Sequence, residues 1–308
     1  MQWSQIKTLF ILCFLVLDIY LIFQFLEKRE AADLSLLEPE SATLEERLSD
    51  EKITIKQLPE AQPDDAFISV KQKSLSKSQI EKVNHLSNQD AAIADDKYII
   101  SHFKKHPLLS EDDSKESIYN KLRKEIVGLN EYQYGEWNKD VNVILFFQVK
   151  NNRPVYYNQS GMVAVFLNDD NEAVGYFQSM LSTPEKNKDK KTLVKPMDAV
   201  GKLYENNQLN SGDEVSEIKI GYHTVVPLTN GVQVFAPTWK LTVNDKRSYF
   251  VNAIEGVVIS KDDVSFLGEA VKFIKTKLQQ VDDDKAAGKE MRKMLTEKEK
   301  ILNRSDTQ

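Results

Sequence analysis

The chain has 308 residues, with 41 lysines and arginines against 47 aspartates and glutamates, a net charge of −6, and a single cysteine, Cys13. No basic patch with interleaved aromatics occurs, which argues against nucleic-acid binding. One cysteine excludes a disulfide scaffold and a cysteine-ligated metal.

The first element is an apolar run from Leu9 to Leu26, interrupted at its centre by Asp18. As a helix it would be about 27 Å long at about 1.5 Å per residue, close to a bilayer's hydrocarbon thickness. A cleaved signal peptide is the competing reading, but its apolar core is shorter and ends in small residues. Here the run ends in Leu26-Glu27-Lys28-Arg29-Glu30, so the reading is a single-pass transmembrane anchor over 8–26. Lys7 on one side and Lys28 and Arg29 on the other do not choose an orientation by charge. A short tail (1–7) before a single span favours a cytoplasmic N-terminus and an extracytoplasmic domain.

On a helical wheel at about 100° per residue, Phe14 and Leu21 fall beside Asp18, while Tyr20 and Gln24 fall nearly opposite. A carboxyl group at the bilayer centre costs about 2.5–3.5 kcal/mol. Hydrocarbon offers it no partner, so a neighbouring helix becomes attractive. The candidate partner-contact residues are therefore Asp18, Tyr20, Gln24, Phe14 and Leu21. The bland alternative is that Tyr20 and Gln24 are tolerated polar residues.

Residues 27–65 are acid-rich and poor in aromatics and read as a stalk, with one helix around Ala42 to Ser49. A first domain is expected over 66–182. It opens with a strand at Phe67 to Val70 and a helix at Ser76 to Leu86. Tyr98 to Phe103 fits a strand or a helix. A helix follows at Ser114 to Val127, capped by Asp113 and closed before Gly128. Strands come next at Glu131 to Trp137, Val141 to Val149, Gly161 to Leu167 and Ala173 to Met180, with turns at Asn151-Asn152-Arg153-Pro154 and Asn168 to Asn171.

Thr183 to Lys191 is a lysine-rich linker. A second domain is expected over 192–262. Pro196 opens its helix, and strands follow at Val215 to Val225, Val232 to Val243, Arg247 to Ile254 and Val257 to Ile259. From Val264 the chain is charged and helical, with one stripe of Leu267, Val271, Ile274, Leu278 and Val281 that should pack on the sheet or on a partner. Beyond Asp282-Asp283-Asp284 a weakly held helix or disorder is expected, giving a tail over 263–308.

Chemistry is sparse. His102 and His106 would share a face if helical, but no third ligand has zinc-site spacing and Pro107 interrupts, so packed or solvated histidines are the simpler reading. His223 reads as a structural strand histidine. Asn168 to Glu172 lacks the pattern of an EF-hand loop. No nucleophile elbow, phosphate-binding glycine loop or H-E-x-x-H motif is present. No catalytic, cofactor or metal site is read, and the protein is not expected to be an enzyme.

The opening Met1-Gln2-Trp3-Ser4-Gln5-Ile6-Lys7-Thr8, the anchor around Asp18 and Gln24, and Lys28-Arg29-Glu30 resemble the N-terminus of the YycI (WalI) family. The run Tyr249-Phe-Val-Asn-Ala-Ile-Glu-Gly256-Val is similar to the last hairpin of that family and of PepSY-type domains. The resemblance covers roughly residues 1–260. It implies a single-pass, non-enzymatic protein of the cell membrane, acting with a YycH-like partner on the sensor histidine kinase WalK of the WalK/WalR cell-wall two-component system. It also implies an α+β fold of two tandem units, each a helix on an antiparallel sheet, similar to YycH domains. The charged tail after residue 263 departs from the pattern. The alternative function is an extracytoplasmic PepSY-type binding or protease-restraining module.

Overall fold

The computed structural model describes residues 7, 12, 14–22, 43–227, 231–260, 262–281 and 285–305. The chain forms two compact units, residues 1–52 and 53–308. In the first, residues 14–22 are helical and exposed. Among the described residues no helix is long and apolar enough to cross a membrane; positions 8–11, 13 and 23–26 of the expected span lie outside them. Helix α1 (Leu44–Asp50) begins with a capping box: Thr43 Oγ1 accepts from the Glu46 N–H, and Glu46 accepts from the Thr43 N–H. Two otherwise orphaned donors are satisfied, which fixes the helix start.

Among the described residues the second unit has fourteen strands: β1 (Thr54–Ile55), β2 (Ile68–Lys71), β3 (Gln89–Ala94), β4 (Tyr98–Phe103), β5 (Tyr132–Asn138), β6 (Val143–Lys150), β7 (Arg153–Tyr156), β8 (Met162–Leu167), β9 (Ala173–Ser179), β10 (Glu185–Lys186), β11 (Glu214–Pro227), β12 (Val232–Val243), β13 (Arg247–Asn252) and β14 (Val258–Ile259). Its helices are α2 (Lys77–Asn84), α3 (Lys115–Leu122), α4 (Pro196–Glu205), α5 (Asp263–Leu278) and α6 (Ala286–Ser305). The class is α+β, as the sequence indicates.

One hydrogen-bonded path runs β10-β2-β12-β11-β7-β6-β8-β9-β4-β3. Strands β5, β6, β8, β9, β4 and β3 are antiparallel neighbours. Strand β7 joins them to the C-terminal strands. It closes a two-residue hairpin with β6 through Asn151 and Asn152, both at positive φ as a primed turn requires. It also pairs parallel to β11, with Val155 opposite Tyr222 and Tyr156 opposite His223. Strand β2, read from sequence with the first half, pairs instead with β12, Ile68 opposite Phe235. The sheet is thus continuous across the two halves.

One face of the first half packs on α2 and α3, through Val83, Ile118, Leu122 and Ile126. Ser114, not Asp113, caps α3, and the helix stops at Leu122, well short of Val127. Asp113 instead accepts from the Ser110 N–H, Ser117 Oγ and Lys121 Nζ, which lowers its carboxyl pKa to about 2. The opposite face packs on α5 and α6. The whole stripe Leu267, Val271, Ile274, Leu278 and Val281 is buried. The stretch beyond residue 284, expected to be weakly held, is a 20-residue helix that buries Met291, Leu295 and Leu302. Lys289, Lys293, Glu297 and Lys300 lie on its exposed face while Lys298 is buried, so charge density alone gave no account of its apolar side.

Gly268 sits inside α5 with open space where a β-carbon would be. Gly268→Ala is expected to raise stability by about 0.5–1 kcal/mol, read as a higher urea midpoint.

Candidate functional site

The structure places Phe14, Asp18, Tyr20 and Leu21 on the helical segment 14–22, all solvent-exposed. Gln24 lies outside the described residues. A helix keeps Asp18 beside Phe14 and Leu21, four and three residues away, with Tyr20 on the far side.

The histidine pair is not on a helix. His102 is in β4, paired opposite Gly175, and His106 follows the strand. Their rings meet edge-on at 5.7 Å, and His106 Nδ1 lies 3.7 Å from Glu172. Burial lowers the His102 pKa despite the nearby Glu290 charge. Among the described residues no three His, Cys, Asp or Glu side chains are grouped to hold a metal. Asn168 Oδ1 accepts from the N–H groups of Asp170 and Glu172, closing the β8–β9 turn. His223 lies buried in β11, its ring 5.4 Å from Phe250.

A polar cluster that the sequence reading missed lies where β5, β12 and the start of α5 converge. It begins with a bulge. Along β5, Tyr134 pairs with Phe146 but Glu136 pairs with Leu145, leaving Gly135 as the extra residue. The bulge flips the alternation. Tyr134 stays on the α2–α3 side, and Glu136 moves to the α5–α6 side with Leu145. Only glycine fits at 135, because a β-carbon there would overlap the Phe147 ring.

Glu136 Oε2 then lies 3.7 Å from Lys240 Nζ of β12. Both residues are largely enclosed; 19% of the Glu136 side chain and 10% of the Lys240 side chain remain accessible. Burial raises the Glu136 pKa; Lys240 pulls it back and Asp263 adds to the rise. Asp263, in the first turn of α5, accepts from Asn138 Nδ2 at 2.9 Å. Asn138 Oδ1 in turn accepts from the Val141 N–H.

Tyr157 completes the cluster. It has φ +48, an unusual backbone state for a bulky residue. Its ring stacks on Phe266 of α5 at 4.8 Å and 10°, and meets Phe250 and Phe147 edge-on. Burial holds its hydroxyl far above the ordinary phenol pKa, with Glu136's charge adding to the effect. Tyr157 Oη and Glu136 Oε1 are both buried and act on each other, the hydroxyl lowering the Glu136 pKa and the carboxylate raising that of Tyr157, but among the described residues neither atom has a well-aligned hydrogen bond. Such groups are costly where they sit.

The cluster therefore holds two parts of the sheet and a helix start together by charge and ring contacts. It presents no nucleophile with an activating base. Its sequence signal was Gly135 within an otherwise alternating strand, which is a bulge mark. The partners Lys240 and Asp263 lie more than a hundred residues away, and no local pattern links them.

Comparison with known proteins gives three results. A family model described as YycI protein matches residues 33–254. No curated protein matches. Among solved structures, the crystal structure of an uncharacterized protein from Eubacterium rectale ATCC 33656 is similar at 9% identity and a TM-score of 0.41, over 68% of this chain and 91% of that one. The family match takes in α1 to α4 and β1 to β13 and ends before α5 and α6. On a match of that extent, the chain belongs to the YycI family of regulatory proteins.

Proposed function

We propose that this protein is a membrane-anchored, non-enzymatic regulator of the WalK/WalR two-component system. It acts by contact with the sensor kinase WalK, together with a YycH-like protein. Membership of the YycI family carries this reading. The N-terminal helical segment supports the anchor: Phe14, Leu15, Val16, Leu17, Ile19, Leu21 and Ile22 are all about half exposed. Seven such side chains are costly in water and suited to lipid or to other apolar helices. In this proposal the N-terminus is cytoplasmic and the second unit is extracytoplasmic.

Asp18 is the proposed transmembrane contact, flanked by Phe14 and Leu21, with Tyr20 and Gln24 forming a second face. Asp18→Leu is expected to lower recovery of the kinase or the YycH-like protein from solubilised membranes by roughly fivefold, the equivalent of about 1 kcal/mol of interhelical hydrogen bonding. Membrane insertion, read by carbonate extraction, should be unchanged. Equal recovery with leucine would remove Asp18 from the interface. If neither a histidine kinase nor a YycH-like protein comes down with the unaltered chain, the regulator reading fails.

A further inference from the structure

Helix α5 starts beside a cluster with more acid than base. Glu136, brought inward by the bulge in β5, is acted on by Lys240 of β12, 3.7 Å away, and by Asp263 in the first turn of α5. Around these three stand Tyr157, Tyr156 with Lys240 Nζ 5.7 Å from its ring centre, and Asp262, which caps α5. Farther out, Glu217 of β11 acts on Tyr156, and His223 of β11 lies 5.4 Å from the Phe250 ring. At neutral pH the inner set therefore has two carboxylates for one ammonium.

The two carboxylates are not equivalent. Asp263 has a donor, Asn138 Nδ2 at 2.9 Å, and sits at a helix N-terminus, which favours negative charge. Glu136 Oε1 is buried with no well-aligned hydrogen bond among the described residues. A proton entering the cluster therefore goes to Glu136, and burial favours its neutral form as well. The 19% of that side chain left accessible gives solvent protons a route. With Glu136 neutral, Lys240 and Asp263 remain as one charge of each sign, and the repulsion between β5 and the start of α5 is gone.

The effect is local to one end of the helix. The first turns of α5 meet the sheet through Asp263 with Asn138 and through Phe266 stacked on Tyr157. The later turns are held by buried apolar side chains, Val271, Ile274 and Leu278, which carry no charge to titrate. Glu136, Tyr157 and Lys240 lie within the stretch matched by the family model, and Asp263 lies beyond it. The cluster is thus the polar joint between that stretch and α5.

We propose that this cluster is a proton-operated latch: one proton taken up at Glu136 tightens the start of α5 onto β5, and its loss at higher pH loosens that contact while the rest of α5 stays docked. With the second unit extracytoplasmic, as proposed above, the latch follows external pH; the latch itself does not depend on that topology.

The test uses the full chain in detergent and reads hydrogen exchange, corrected for the pH dependence of the chemical rate. Protection of amides 266–270, taken relative to 274–278 of the same helix, should rise as pH falls from about 8 to about 5. The expected rise is roughly tenfold in total, the effect of a one-unit difference in pKa between the loosened and the latched states. Glu136→Gln, which fixes the neutral form, should hold the ratio at its acidic level throughout. Asp263→Asn, at a half-buried position, should move the midpoint to lower pH because a like charge is removed; it keeps the test decisive if Glu136→Gln does not fold. A ratio independent of pH in the unaltered chain, or a midpoint unmoved by Asp263→Asn, overturns the latch. A Glu136→Gln chain that keeps the full pH dependence also overturns it, and assigns the response to another group such as His223.

Discussion

Lys240→Met is expected to cost about 3 kcal/mol at pH 7, the lower end of the range for breaking a buried ion pair. The lower end applies because the Glu136 side chain keeps 19% of its surface accessible. The loss comes from Glu136, which would face Asp263 with no cation between them. Adding Glu136→Gln should recover most of it. The pH dependence has a defined sign. Glu136 has a raised pKa, so the folded chain holds its proton more tightly than the unfolded chain does. Its contribution to stability rises as pH falls through the folded value, and the rise is complete below the ordinary value of 4.5. Lys240→Met should therefore be most damaging at neutral pH and nearly silent in acid. Urea unfolding of both variants across pH reads this directly. A loss independent of pH would show that Lys240 acts through packing instead.

Gly221→Ala is expected to destabilise by about 1–3 kcal/mol, although the same change at an unconstrained site is stabilising. Gly221 lies in β11 just before the parallel pairing with β7. A β-carbon there would overlap the Tyr156 ring and lie 2.6 Å from the Pro154 carbonyl. The carbonyl belongs to the backbone of β7, so relief requires the two strands to part. Gly268→Ala has the opposite expected sign because its surroundings are open. Measured side by side, the two substitutions separate the backbone entropy of glycine from its spatial role. Equal shifts in the urea midpoint would contradict the close approach at Gly221.

Local elements were largely legible. The α4 start at Pro196, the β8–β9 turn at Asn168 to Asn171 and the apolar stripe of α5 all follow from short-range pattern. What escaped depends on distant residues. Strand β3, Gln-Asp-Ala-Ala-Ile-Ala, has little intrinsic preference for extended structure, and its pairing with β4 overrides that. Its Ala92 and Ala94 lie in the same cluster as Met291 and Leu295 of α6, and no local pattern shows that. The site was legible only in part. Asp18 is conspicuous because a charge interrupts an apolar run. Glu136 looks like an ordinary strand-surface residue until the bulge at Gly135 turns it inward. No periodicity reports that the alternation has changed face.

The pairing of β2 with β12 also governs how the protein can be made. Ile68 and Phe235 meet across roughly 165 residues of chain. Such distant contacts delay folding, since a large loop must close before they form. During synthesis, β2 emerges early and has its β12 partner only when most of the chain has followed. Until then its edge is open to pairing with other extended segments. A nascent chain of this protein therefore needs protection until late, and release before residue 235 should yield aggregation-prone fragments instead of a folded first half.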